Sequence, residues 1–195
     1  MTKRILFFYV LFFIGWLSYS QEFDPRIEKS TLTINHKARE GYQSRFGISA
    51  KKLERAWWSY SREFGRPLNM KGYYQVTIPS HLNSGNVDLV LLSKSLANKK
   101  GSTFFLTIDE QGIPKDKKSA YMNQVKVILQ TFKVNYFVSE LSEKLEDLED
   151  RAATVSKRVA KSSGNSKQKH INQMQKLEEE IEVIKQQLTE VNDAY

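Results

Sequence analysis

The sequence predicts an α+β fold: a small antiparallel sheet with one packed helix, followed by a long C-terminal antiparallel helical hairpin that forms a coiled coil. The first half of the chain contains short stretches in which apolar and polar residues alternate, which is typical of strands with one buried face. One amphipathic helical pattern interrupts these stretches at 50–64. Between Lys117 and Gly164 the chain has no Pro or Gly, and the later apolar residues follow a heptad repeat. The predicted order is β-(β)-α-β-β-β, then two helices.

Composition limits the size of the fold and the chemistry open to it. The chain has 195 residues, of which 40% are apolar, and this fits one ordinary folded domain with an appendage. It contains 30 Lys and Arg residues against 22 Asp and Glu, a formal net charge of +8. The absence of Cys rules out disulfides, thiolate metal sites, a Cys nucleophile and a lipidated N-terminal Cys.

Residues 1–20 have the layout of a secretory signal peptide. A two-residue positive head precedes an apolar run of 13 residues, and small residues then lead to a cleavage site between Ser20 and Gln21. Cleavage would remove two positive charges and lower the formal net charge from +8 to +6. The alternative is an uncleaved anchor, although a spanning helix needs about 20 apolar residues. We expect a periplasmic or secreted protein, not integral to the membrane after cleavage.

The body is predicted at 31–136, after a poorly ordered lead at 21–30. A short strand at 31–35 and an irregular one at 41–48 come first. Ser49 is the predicted N-cap of the helix that follows.

The predicted helix ends at Phe64, because Gly65 and Pro67 follow it. Three further strands are predicted as an antiparallel meander, because turn residues separate these segments. The segments are 72–79, 87–93 and 102–109.

Two adjacent tryptophans in the predicted helix face opposite ways. Trp57 shares the apolar face and is predicted to lie in the core. Trp58 lies among three cations on the other face. Either the stems of these cations cover a packed Trp58, or this face is a stacking platform for a sugar ring or an anionic polymer. This candidate binding face, the Trp58 face, comprises Lys51, Arg55, Trp58 and Arg62.

Residues 137–195 are predicted to form the hairpin, with its turn at 162–166. The apolar seam positions are Val138, Leu141, Leu145, Leu148, Ala152, Val155 and Val159, then Met174, Leu177, Ile181, Ile184, Leu188 and Val191. Six facing pairs have residue numbers that add up to 329, and the midpoint lies in the turn. This register favours antiparallel pairing within one chain over a parallel dimer or trimer. The protein is then a monomer or a hairpin-mediated homo-oligomer.

Charge on the hairpin is segregated into an acidic stalk and a basic tip. No acidic residue occurs from Lys157 to His170. The basic tip comprises Lys157, Arg158, Lys161, Lys167 and Lys169. The acidic residues of the stalk are Glu140, Glu143, Glu146, Asp147, Glu149 and Asp150 on the first helix and Glu178, Glu179, Glu180 and Glu182 on the second. Lys144 is the one base near the first group. The tip is either an ordinary solvated surface or a contact for an anionic partner.

The sequence contains no motif for catalysis, a cofactor or a metal. His36, His81 and His170 lie far apart, and none has a second ligand at metal-binding spacing. Asp109 and Glu110 lie beside Gly and Pro, which is typical of a turn. A distant Ser-His-Asp set leaves a hydrolase as a minor alternative. We therefore expect neither an enzyme nor a bound cofactor.

The chain combines the segment LERAWWSYSREFG with a predicted signal before Gln21, three strands and a charged C-terminal hairpin. This organisation resembles that of a group of secreted proteins from Bacteroidota. This resemblance implies export and an α+β body with a coiled coil, and it carries over no functional residues. The body plan is also similar to that of basic periplasmic holdase chaperones, although the helices of that family lie within the β body's sequence.

We expect an exported, non-catalytic interaction or scaffold protein whose partner is a protein or an anionic envelope component. The first alternative is an envelope-binding module for an anionic polymer, a lipid headgroup or a carbohydrate. A holdase-like chaperone or a hydrolase comes third. A nucleic acid partner is not expected, because the excess positive charge is small and diffuse.

Overall fold

A computed structural model describes residues 23–82 and 87–195, and it confirms the α+β fold. The predicted signal segment at 1–20 lies outside the described residues. The strands are β1 (Glu28–Ile34), β2 (Lys37–Phe46), β3 (Arg66–Asn69), β4 (Tyr74–Ile78), β5 (Leu89–Asn98) and β6 (Gly101–Ile108). The α-helices are α1 (Ala50–Ser61), α2 (Lys118–Lys161) and α3 (Gly164–Asn192), and two short 3₁₀ helices cover Ser80–Leu82 and Lys115–Lys117.

The strands form one antiparallel sheet in the order β1-β2-β6-β5-β4-β3. Strand β3 is not predicted from the sequence, in which Gly65 and Pro67 indicate only the end of a helix. Pro67 is tolerated there because β3 lies at the sheet edge and pairs with β4 alone. The element order is therefore β-β-α-β-β-β-β, and α1 ends at Ser61, earlier than the predicted Phe64.

The first strand also begins earlier than predicted, at Glu28 instead of residue 31. Residues 23–27, which belong to the predicted poorly ordered lead, make specific contacts. For example, the Phe23 ring lies edge-on to the Phe137 ring, with 5.1 Å between centroids. The cause is tertiary: apolar side chains of α2 provide a surface that local sequence does not reveal.

One face of the sheet is covered by α1 and α2, and the main core lies between these helices and the sheet. Trp57 is fully buried at its centre, as predicted. Its ring centroid lies 5.1 Å from that of Phe104 on β6 and 5.1 Å from that of Phe132 on α2. Aromatic contacts of this kind add about 0.5–1.5 kcal/mol each beyond their buried area. This cluster joins the first helix, the sheet and the long helix into one body.

A smaller apolar cluster lies on the opposite face of the sheet, around Ile34, Leu92 and Phe105. The Phe105 ring lies across Gly41 of β2. A Cβ at that position would come within 2.5 Å of the Leu106 carbonyl oxygen and 2.6 Å of the ring. Gly41 is therefore required for this close contact.

The helical hairpin consists of the distal part of α2 and the whole of α3. The connection is shorter than the predicted turn, since only Ser162 and Ser163 lie between the helices and Gly164 begins α3 with a positive φ of 53°. All predicted seam residues lie in apolar clusters. Val138 and Val191 join the body's core, and most of the others form a second core within the hairpin. Leu141 contacts both cores, so the base of the hairpin is continuous with the body.

Candidate functional site

The basic tip lies where α2 ends and α3 begins. Its five cations, Lys157, Arg158, Lys161, Lys167 and Lys169, are all exposed, and in the described part of the chain none of them forms an ion pair. The cations in the last turn of α2 are stabilised by the negative end of that helix dipole. Lys167 lies in the first turn of α3, which contains no acidic residue to offset the positive end of the dipole. The structure therefore brings five cations from two helices to one end of the molecule.

The acidic stalk is more strongly paired than the sequence predicts. Lys52 of α1 donates to Glu140 at 2.6 Å, which links the first helix to the base of the arm. The hydrogen bond to Glu140 is the main reason that the pKa of Lys52 is raised. Arg151 pairs with Asp147 at 3.5 Å, one helical turn away. Lys144 is therefore not the only base near these acids.

The Trp58 face lies on the outer side of α1. Lys51, Arg55 and Arg62 are all exposed there, and the Trp58 side chain keeps 36% of its surface accessible. Its ring makes an edge contact with Tyr74 of β4, with 5.8 Å between centroids. Trp58 is thus packed on one side and open on another, an arrangement compatible with both readings of this face.

Lys133 was not singled out from the sequence. It is completely buried in the middle of α2, the one charged side chain among the buried residues that the structure describes. Its ammonium donates to Ser44 Oγ at 2.6 Å and to the carbonyl oxygen of Asp24. It also lies 5.3 Å from the centroid of the Phe46 ring.

Burial sets the protonation behaviour of Lys133. Its pKa is lowered to about 8, chiefly by desolvation. The Asp24 carboxylate raises this pKa, and the Arg26 guanidinium lowers it by a smaller amount. The pKa of Asp24 is in turn lowered to about 2, chiefly by the hydrogen bond from the Arg26 side chain. The amine is therefore mostly charged at pH 7 and becomes neutral through about pH 8.

Residues 23–27, which we call the strap, cross the body next to Lys133. Three consecutive carbonyl groups of the strap accept hydrogen bonds from side chains of other elements. Lys133 donates to Asp24, the hydroxyl of Tyr195 donates to Pro25 at 2.6 Å, and Ser44 Oγ donates to Arg26 at 2.8 Å. The side chains at the two ends of the strap, Phe23 and Ile27, pack against the main core.

Ser44 and Lys133 contact each other and both contact the main chain of the strap. A neutral lysine beside a serine is a known nucleophilic arrangement. Here both side chains are buried, and each donates to a carbonyl of the strap. The donors therefore hold a peptide main chain in place.

A groove of about 580 Å³ runs between the β1–β2 strands and the beginning of α2. Lys118 lies in its wall and pairs with Glu110 at 2.9 Å and with Glu40 at 3.8 Å. These pairs offset the charge of Lys118. Across the ranges that the structure describes, no group of three or more His, Asp or Glu side chains is placed to hold a metal ion. Within the same ranges, no helix combines the length and apolar character needed to cross a bilayer.

A signal for Lys133 does exist in the sequence. It stands four residues after Leu129 and four residues before Phe137, both of which are buried on the body side of α2. Side chains four residues apart share a helix face, so a lysine at this position falls on the buried face. Neither the strap nor the Ser44 contact has a comparable local signal, because both depend on residues distant in the sequence.

Comparisons with known proteins give no match: no family model, no curated protein and no solved structure is significantly similar to the chain.

Proposed function

We propose that the chain is an exported interaction or scaffold protein without a catalytic role, in which the α+β body holds the helical hairpin as an arm. The observation that carries this proposal is the second apolar core within the hairpin, which involves no residue of the sheet. An arm with its own core can project from the body and remain ordered. At about 1.5 Å per residue, the part of α2 beyond Val138 is about 35 Å long.

The partner that fits the tip best is an anionic component of the cell envelope. Five exposed cations at the end of an arm attract anions over roughly a Debye length, about 8 Å at physiological salt. The acidic residues of the stalk lie farther from the end and disfavour anionic contacts along its sides. Together these features favour contact through the end of the arm.

The test is retention of the purified protein on isolated envelope material before and after charge reversal at the tip. We expect Lys157, Arg158, Lys161, Lys167 and Lys169 changed together to Glu to abolish retention. The matched control reverses five exposed lysines of the body, so that net charge falls by the same amount: Lys29, Lys37, Lys71, Lys99 and Lys100. Equal loss in both variants would indicate a net-charge effect, and unchanged retention of the tip variant would refute a role for the tip.

The arm is further proposed to be an antiparallel coiled coil within one chain. The contacts of the seam residues within the hairpin support this register. Light scattering on the purified protein distinguishes a monomer from a homo-oligomer held together through the hairpin. A monomer with undiminished helix content supports the intrachain pairing, whereas loss of helix on dilution argues for pairing between chains.

Export is proposed from the layout of residues 1–20. Mass spectrometry of the protein from fractionated cells is expected to find a chain that begins at Gln21 outside the cytoplasm. A full-length chain in the membrane fraction would instead favour the uncleaved anchor.

A second candidate function is binding of a carbohydrate or anionic polymer at the Trp58 face. The observation that favours it is the accessible part of the Trp58 ring beside Lys51, Arg55 and Arg62. We expect Trp58→Ala to keep the fold and to lose retention on polysaccharide. If the variant unfolds, the ring is structural. If it folds and is still retained, this candidate is wrong.

A further inference from the structure

The strap is held by three hydrogen bonds to its backbone carbonyls and by the packing of its two end side chains. Its three central carbonyls bind Lys133, Tyr195 and Ser44, which belong to α2, the C-terminal residues and β2. Among the residues that the structure describes, pairing in the sheet begins at Glu28, immediately after the strap. The donors are therefore two side chains from outside the sheet, Lys133 and Tyr195, and one side chain of β2, Ser44.

Two apolar contacts flank these hydrogen bonds. The Phe23 ring meets Phe137 edge-on at 5.1 Å, and the Lys133 ammonium lies 5.6 Å from the Phe23 centroid. Ile27 packs against the main core at the other end. Between them, the Arg26 guanidinium pairs with the Asp24 carboxylate of the strap itself at 2.7 Å. The surface thus matches an extended segment with apolar side chains at its first and fifth positions and free carbonyls between them.

We propose that this surface is a peptide-recognition groove, occupied in cis by the chain's own strap and open to an equivalent segment in trans. The partner is an extended peptide of the type aromatic-Asp-Pro-Arg-aliphatic. Donors to main-chain carbonyls provide affinity for any extended chain, and the two apolar positions provide selectivity. This inference is independent of the function proposed for the tip.

The covalent connection explains why the strap occupies the groove in the isolated chain. A short tether gives a segment an effective concentration in the millimolar range. A peptide added at micromolar concentration therefore competes poorly with the strap. Weakening the strap's two apolar contacts leaves the donors in place and makes the groove available.

The binding test uses the full chain with Phe23→Ala and Ile27→Ala, and a labelled, acetylated peptide FDPRIE, measured by fluorescence polarisation. We expect saturable binding to this variant and at least tenfold weaker binding to the wild type. The matched peptide ADPRAE is expected not to bind. Adding Lys133→Met to the double variant is expected to weaken binding at least tenfold, whereas Lys126→Met, at an exposed position of the same helix, leaves it unchanged.

A second measurement on the wild type covers the case in which the double variant fails to fold. Nuclear magnetic resonance signals of the Phe23 and Ile27 side chains are followed with and without 2 mM unlabelled FDPRIE peptide. Movement of these signals toward those of the free peptide with FDPRIE, and not with ADPRAE, supports displacement of the strap. The proposal is overturned if a folded double variant does not bind the peptide, if both peptides bind equally, or if the Phe23 and Ile27 signals of the wild type are unaffected.

Discussion

Replacing Lys133 by methionine is expected to remove a pH dependence of stability that the wild type has. The folded-state pKa of this amine is about 8, against an ordinary value of 10.5. Between these values the unfolded chain binds the proton and the folded protein does not, so stability rises with pH. Below about pH 8 the folded protein bears the full cost of a buried ammonium.

The magnitude follows from the difference between the two pKa values. The difference corresponds to about 3 kcal/mol over the whole range, and most of it is gained between pH 7 and pH 10. At pH 7 the substitution removes the cost of burying charge and also loses two hydrogen bonds from a charged donor, each about 1.5–3 kcal/mol. We expect the free energy of unfolding at pH 7 to change by less than about 3 kcal/mol.

The assay is urea unfolding, followed by tryptophan fluorescence, at pH 7, 8, 9 and 10. The wild type and Lys126→Met are expected to share a gain in stability with pH that Lys133→Met lacks. The range stops at pH 10 because burial raises the pKa of Tyr60, Tyr136 and Tyr195 to about 12, and their contribution to stability falls as pH rises above the ordinary tyrosine value. Equal pH dependence in the wild type and Lys133→Met would refute the assignment to Lys133.

Three further substitutions test the packing. Gly41→Ala is expected to destabilise the protein by about 2 kcal/mol or more, because the Leu106 carbonyl cannot move away from the new Cβ, and thermal unfolding measures this. Trp57→Ala is expected to cost about 3–5 kcal/mol in urea unfolding followed by circular dichroism, and a cost under 1 kcal/mol would contradict its central place in the core. Leu148→Ala removes a buried side chain from the arm, so hydrogen exchange should accelerate in the hairpin and remain unchanged in the sheet; acceleration in both would mean that arm and body unfold together.

The sequence was most informative where structure is governed by local periodicity. The heptad spacing from Val138 onward and its counterpart in α3 predicted the packing of the hairpin, because neighbouring turns of one helix determine which side chains share a face. The same argument separated buried Trp57 from exposed Trp58. The five cations of the tip were identified differently, from the absence of acidic residues between Lys157 and His170.

The parts that were missed depend on contacts between distant residues. Strand β3 is only four residues long and contains Pro67, so its propensity is low, and pairing with β4 stabilises it. The strap has no periodic pattern and is held by Lys133, which is 109 residues from Asp24 in the chain. Local patterns contain no information about such a contact.

The continuity of α2 makes the arm a mechanical lever. This helix has 44 residues and contains neither Gly nor Pro, so it is a single rod about 66 Å long. Its first half lies on the sheet through Phe132 and Leu129, and its second half extends to the tip. A sideways load at the tip therefore acts as a torque on the aromatic core. Since the rod has no hinge residue, this load must be absorbed at the base, where Leu141 joins the two cores.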